Sequence, residues 1–113
     1  MDIISDVEEA FWWDVAEKCA YATFFHSPLW HRLITETYDE LEDKAVGAVT
    51  DDGVHMVLPL IKTGTAARGI MQTLTSTFAG CYGGVIADGE VSKTDLVRLY
   101  EAVQSWDVSE LRV

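Results

Sequence analysis

Histidines, which could bind a metal or move a proton near neutral pH, are few in this chain. Its three histidines are His26, His31 and His55. His26 and His31 stand five positions apart around a predicted helix start, and neither has a carboxylate four residues later. This spacing favours solvated or capping histidines over a metal centre or a metal-dependent hydrolase. The sequence therefore predicts no metal site.

A candidate binding wall lies in the stretch Thr73–Asp88, around which we expect the fold to be organised. Tyr82 follows a glycine, and Gly83 and Gly84 then let the backbone turn sharply or approach a ligand before Val85. An aromatic ring beside two glycines suits a ligand-binding wall. The same glycines also suit a bend in a sheet, so both interpretations stay open.

Charge narrows the classes of partner. Nineteen acidic and eight basic residues give the 113-residue chain a formal net charge of −11. Such a surplus repels phosphates at long range, which argues against direct DNA binding and against an anionic membrane surface. No apolar run is long enough to span a membrane.

Length and cysteine content indicate one domain, residues 1–113, in a reducing compartment. Cys19 and Cys81 show no paired or CxxC spacing, which favours free, reduced thiols. The first six residues carry acid where a signal peptide would carry base. We therefore expect a cytoplasmic protein.

Helix signals recur three times along the chain. Ser5 or Asp6 is expected to cap the first helix, Ser27 followed by Pro28 the second, and Ser92 the third. Trp12 and Trp13 are neighbours on the first predicted helix. Adjacent residues on a helix differ by about 100° in direction, so one of these two side chains must point away from the core. The alternative is that both belong to an exposed aromatic patch. The apolar stripe of the first helix comprises Val7, Phe11, Trp12, Val15 and Cys19.

A hairpin is predicted between the β-favouring runs Lys44–Thr50 and Val54–Ile61, which flank Asp51-Asp52-Gly53. Pro59 cannot donate to a strand ladder and implies an edge, a bulge or the end of pairing. Together with Ile3-Ile4, the strand before Phe78 and a short strand near Glu110, these elements predict an α/β or α+β fold. We expect a mainly antiparallel sheet of four to five strands covered by three helices.

Three segments carry a family resemblance. They are residues 22–30 (Ala-Thr-Phe-Phe-His-Ser-Pro-Leu-Trp), residues 57–60 (Val-Leu-Pro-Leu), and Phe78 followed by residues 82–85 (Tyr-Gly-Gly-Val). In type, order and spacing they resemble the amino-terminal half of FemAB-like proteins, which are tandem domains of the GCN5-related N-acetyltransferase (GNAT) fold. The resemblance spans nearly the whole chain. It departs from the family where Thr77-Phe78 replaces Pro-Phe and where Ala79-Gly80-Cys81 precedes Tyr82.

The resemblance implies transfer of an acyl or aminoacyl group to an amine, from acyl-CoA or aminoacyl-tRNA. By analogy, the acceptor is an amine-bearing small molecule or a peptidoglycan-precursor-like molecule, contacted by Tyr82, Gly83, Gly84, Trp30 and Arg32. A core tryptophan on the second helix is the alternative for Trp30.

The acyl donor belongs to the second GNAT half in this family, so the resemblance implies no cofactor in this chain. Consistent with that, the sequence does not match the acyl-carrier motif Arg/Gln-x-x-Gly-x-Gly/Ala, because Arg68 is followed directly by Gly69. The second half would come from the same gene, a separate chain or a homodimer, and this chain alone would be inactive. The competing hypothesis is an acidic interaction domain without catalysis, which dimerises through a sheet edge near Leu111 or through Trp12 and Trp13.

Overall fold

The order of elements follows the alternation of helical stripes and β-favouring runs. The computed structural model describes residues 1–38, 41–62, 73–75, 84–104 and 110–112. The helices are α1 (Glu9–Lys18), α2 (Pro28–Thr37) and α3 (Lys93–Gln104), and a 3-10 turn at Phe24–His26 precedes α2. The strands are β1 (Asp2–Ile4), β2 (Glu42–Asp43), β3 (Val46–Val49), β4 (His55–Leu58), β5 (Ile61–Lys62), β6 (Thr73–Thr75), β7 (Ile86–Ala87) and β8 (Glu110–Arg112).

The first sheet has four antiparallel strands in the order β1-β3-β4-β7. This confirms the predicted α+β class, with a four-stranded antiparallel sheet and three helices. The predicted hairpin is β3–β4, in which Val49 pairs with His55 across the turn. Gly53 has a φ of 83°, a conformation that costs a glycine little and other residues more.

The second sheet was not predicted. Its order is β2-β5-β6-β8, and β8 runs parallel to β6. The chain passes between the sheets at Pro59 and Leu60, because β4 ends at Leu58 and β5 begins at Ile61. Pro59 therefore marks the end of pairing, which was one of its three predicted roles.

The first sheet is packed between α1 and α3, and alternate residues of β4 face opposite layers. Val57 packs with Trp12 and Val15 of α1, whereas Met56 and Leu58 pack with Leu99 and Val103 of α3. A third cluster joins α2 to the second sheet through Ile34, Leu41 and Ile61. These three clusters define the core of the described residues.

Helix starts test the capping predictions. Ser27 accepts a hydrogen bond from the Trp30 N–H at 3.3 Å, and Ser92 accepts one from the Asp95 N–H at 3.1 Å, which confirms both caps. The cap predicted at Ser5 or Asp6 is wrong, since α1 begins at Glu9 without a side-chain cap. Val7 packs over Gly47 of β3 instead, and this tertiary contact outweighs the local capping preference.

The prediction of solvated or capping histidines holds for His26 but not for His31. His26 caps the 3-10 turn, because its Nδ1 accepts the Thr23 N–H at 2.9 Å. His31 is neither solvated nor a cap: it is buried and pairs with Asp43. No helix in the described part of the chain is long and apolar enough to cross a membrane.

Candidate functional site

Trp30 lies in an aromatic cluster. Its ring centroid is 5.2 Å from that of Phe25 and 5.9 Å from that of Phe24, and the residue also packs against the cluster around Ile34. Offset and edge-on contacts of this kind stabilise a core. The geometry favours the alternative interpretation of Trp30 as a packing residue.

Arg32 lines a small cleft of about 110 Å³ between α1 and α2. Its guanidinium forms an ion pair with the Glu9 carboxylate, which ties α2 to α1. Both side chains are about half exposed, and such pairs contribute little to stability. Arg32 is therefore accessible, with its charge already partnered by a carboxylate.

The floor of this cleft holds the pair His31 and Asp43. His31 Nε2 lies 2.8 Å from Asp43 Oδ1, which also accepts the Ala45 N–H at 2.9 Å. Burial by itself would raise the pKa of Asp43, but the hydrogen bonds from His31 and Ala45 outweigh it and lower the pKa. The pair joins α2 to the strand β2 and has a structural role.

Gly84 adopts a φ of 99°, which a residue with a side chain rarely tolerates. No atom lies within 4 Å of the place where a Cβ would stand, so the backbone conformation, and not crowding, requires the glycine. Tyr82 and Gly83 lie outside the described residues. The cleft lined by Arg32 shares no residue with the groove that begins beside Gly84 at Val85.

That groove has a volume of about 470 Å³. It is bounded on one side by the residues just before and just after β7 and on the other by the helix α3. Ligand pockets commonly have volumes of about 300–1,000 Å³. Its lining is largely apolar and aromatic, with one carboxylate. The lining residues are Tyr21, Val85, Gly89, Glu90, Val91, Leu96 and Tyr100.

Tyr21 closes one side of the groove. Its hydroxyl donates a hydrogen bond to the Val85 carbonyl at 2.8 Å, although 62% of the residue is exposed. Partial burial, followed by a hydrogen bond with Cys19, raises the pKa of Tyr21 to about 12. Burial also raises the pKa of Tyr100. Both phenols therefore remain neutral donors well above neutral pH.

We expect Tyr21→Phe to flatten the alkaline part of the stability profile. A tyrosine whose folded pKa exceeds its unfolded value near 10 stabilises the fold below pH 10 and loses that contribution between about pH 10 and 12. Urea unfolding of wild type and Tyr21→Phe across this range measures the effect. The difference in free energy of unfolding should shrink as the pH rises, and a difference independent of pH would contradict the assignment.

Three titratable side chains meet on the α1 side of the first sheet. They are Asp14, His55 and Asp88, and one ligand atom of each lies within 4.8 Å of the others. His55 Nδ1 is 3.3 Å from Asp88 Oδ2. This group is the part of the described chain with side chains suited to holding a metal ion.

Comparison with known proteins adds no relative. No family model matches the chain, and no curated protein or solved structure matches it significantly. The groove, the group Asp14, His55 and Asp88, and the motif resemblance are therefore the features that bear on function.

Sequence reasoning did not single out the groove's aromatic and acidic side chains. Tyr100 was visible only as part of the apolar stripe of α3, and Tyr21 only as part of an aromatic run. Asp14 falls outside the apolar stripe of α1, where a solvent-facing carboxylate is expected. Strand alternation supplies one missed signal, since His55 and Val57 must share a face and Val57 belongs to the α1 layer.

Proposed function

We propose that this chain is the acceptor-binding lobe of an N-acyltransferase of the FemAB-like type, with a GNAT-like fold. A second lobe, from the same gene, a separate chain or a homodimer, holds the acyl-CoA or aminoacyl-tRNA. The observation that carries the proposal is the position of the groove. Val85, the last residue of the Tyr-Gly-Gly-Val motif, is one of its walls.

The chemistry of the groove suits a cationic amine. Glu90 supplies one carboxylate, and Tyr21 and Tyr100 supply aromatic rings. A protonated amine is attracted by a carboxylate through a charge-assisted hydrogen bond and by the face of an aromatic ring. The net charge of −11 adds a long-range attraction for cations.

The reaction explains the division into two lobes. A neutral amine attacks the carbonyl carbon of the donor, a new amide bond forms, and the thiol of CoA or the hydroxyl of tRNA leaves. The amine gives up its proton before or during this attack. In the proposed arrangement, Glu90 and the two tyrosines bind and orient the acceptor, while the second lobe supplies the donor.

A buried free thiol at Cys19 is in keeping with a cytoplasmic location.

Titration with n-butylamine, followed by ¹⁵N–¹H correlation NMR, tests the acceptor site. We expect saturable shifts at Val85, Glu90 and Tyr100, with n-butanol as the uncharged comparison. Glu90→Gln should weaken amine binding roughly tenfold, because it removes the charge that pairs with the ammonium group. Glu101→Gln is the matched control, since Glu101 is an exposed α3 carboxylate outside the groove and should bind as wild type does.

Equal effects of the two glutamine variants, or binding of n-butanol as tight as that of n-butylamine, would contradict the acceptor site. Turnover of acetyl-CoA with n-butylamine by this chain alone would contradict the assignment of the donor to a second lobe.

The second candidate function is a non-catalytic interaction domain. It is favoured by β8, which is one of the two edge strands of the second sheet in the described part of the chain. Unpaired strand edges readily pair with another chain. Trp12 does not contribute to such a surface because it is buried. Absence of amine binding, together with a concentration-dependent dimer in light scattering, would favour this alternative over the acyltransferase.

A further inference from the structure

A mixed set of oxygen and nitrogen ligands converges on the α1 face of the first sheet, and none of its members lines the groove. Asp14 comes from the middle of α1, His55 opens β4, and Asp88 follows β7 directly. We propose that these three residues bind a divalent transition-metal ion, of which Zn²⁺ is the best match. The proposal is independent of the acyltransferase assignment.

Hydrogen bonds to the backbone hold two of the three ligands, His55 and Asp88, next to each other. The Asp88 N–H donates to the His55 carbonyl at 3.0 Å, and the His55 N–H donates to Asp88 Oδ1 at 2.8 Å. The carboxylate thus replaces a backbone carbonyl as acceptor at the end of the β4–β7 ladder. Its other oxygen, Oδ2, is left facing the imidazole of His55 at 3.3 Å.

The imidazole is also positioned by packing. Its ring centroid lies 5.0 Å from that of Phe11, at an interplanar angle of 37°. Phe11 and Asp14 both belong to α1, so the helix that orients the His55 ring also supplies the third ligand. Ligands held by helix and strand are placed more accurately than ligands on loops.

The distances suit a single ion. Two ligands each about 2.0–2.2 Å from a tetrahedral ion are separated by roughly 3.3–3.6 Å, and His55 Nδ1 and Asp88 Oδ2 already lie 3.3 Å apart. One ligand atom of each of the three residues lies within 4.8 Å of the others, so closure needs a movement of up to about 1.5 Å. Asp14 can supply it by a change of rotamer, since its side chain is 47% exposed and its ion pair with Lys18 is exposed as well.

Ligand type selects the class of metal. One imidazole and two carboxylates suit Zn²⁺, Co²⁺ or Mn²⁺, whereas Ca²⁺ and Mg²⁺ prefer sites made wholly of oxygen. Three protein ligands leave a fourth position of a tetrahedral Zn²⁺ for water or another molecule. The side chains of His55 and Asp88 are 38% and 15% exposed, so an ion can reach the site from solvent.

Competing interactions are weak. Lys18 Nζ lies 3.1 Å from Asp14 Oδ2, and both side chains are about half exposed. An exposed i,i+4 pair contributes little to stability, so a dication between two carboxylates readily displaces it. A metal-free His55–Asp88 ion pair is the alternative to a metal site, and the experiment distinguishes the two.

Isothermal titration of the metal-free protein with ZnCl₂ and with CoCl₂ tests the site. We expect one ion per chain, and the visible absorption of bound Co²⁺ should report its coordination. Asp14→Asn should lower the affinity at least about tenfold, because loss of a ligand exceeds the effect usually seen for an outer-shell partner. Glu17→Gln is the matched control: Glu17 is an exposed α1 carboxylate and should leave binding unchanged.

A second measurement keeps the test decisive if a variant fails to fold. Substoichiometric Mn²⁺ should broaden NMR signals around His55 and Asp88 in the wild-type protein before those around His31. Binding that is absent, that is equal for Zn²⁺ and Mg²⁺, or that is unchanged in Asp14→Asn would overturn the proposal. The first and third results would leave His55 and Asp88 as an ion pair only.

Discussion

Replacement of Trp12 by alanine is expected to lower the free energy of unfolding by about 3–5 kcal/mol, the range seen when a large buried aromatic side chain is removed. Trp12 is 2% exposed and packs with Val15, Val57 and Ile86 between α1 and the first sheet. Its Nε1–H donates to the His26 carbonyl at 2.6 Å, so the substitution also removes a buried hydrogen bond.

Trp12→Ala removes contacts between elements in addition to leaving a cavity in the core. Its ring meets the His31 ring edge-on at 5.0 Å, and through His26 it also contacts the turn before α2. Trp12 thus holds α1, the 3-10 turn and α2 together. Small domains have a net stability of about 5–15 kcal/mol, so the loss expected for Trp12→Ala is a large fraction of the total.

Trp13→Ala is the matched control for Trp12→Ala. Trp13 is the next residue on α1 and is 38% exposed, so its loss should cost much less than that of Trp12. Urea unfolding followed by far-UV circular dichroism compares the two variants. Equal destabilisation would mean that Trp12 does not hold the layers together as described.

The pair Trp12 and Trp13 also illustrates what the sequence could predict. Helical geometry alone required one of the two to leave the core, and the stripe of α1 identified which one. Local signals of the same kind predicted the Ser27 and Ser92 caps, the turn at Gly53 and the break at Pro59. Each depends on residues within a few positions of one another, where backbone sterics decide the outcome.

Predictions that depended on long-range contacts were less successful. The late start of α1 follows from Val7 packing on Gly47, 40 positions away, which no capping rule contains. The second sheet needs the parallel pairing of β6 with β8, whose partners are also distant in sequence. The group Asp14, His55 and Asp88 is drawn from three separate elements, so ligand spacing could not reveal it.

The candidate site was predicted only in part, for a similar reason. Gly84 was singled out as a place where the backbone turns or approaches a ligand, and its positive φ explains why a glycine stands there. The groove beside it, however, is completed by Tyr21 and Tyr100, which reach β7 from the end of α1 and from α3. One segment of sequence is enough to suggest a glycine-rich wall, whereas a groove can be predicted only when the relative positions of several segments are known.

The passage of the chain between the two sheets leads to a second large effect: Leu60→Ala should cost about 2–5 kcal/mol. Leu60 follows Pro59 and belongs to neither β4 nor β5, yet it is fully buried with Leu99 and Val103 under α3. Its carbonyl accepts the Lys44 N–H at 2.9 Å, directly after the end of β2. The side chain therefore anchors the connection between the sheets in the core of the first one.

This anchoring predicts that the two sheets unfold together. Tryptophan fluorescence and far-UV circular dichroism should give coincident urea transitions in wild type and in Leu60→Ala, with both midpoints lowered equally. Leu33→Ala is the matched control, because Leu33 is an exposed leucine of α2 and should change the stability by no more than about 0.5 kcal/mol. A Leu60→Ala shift no larger than that of Leu33→Ala would contradict the anchoring. Separated transitions in either protein would contradict the expectation that the two sheets unfold together.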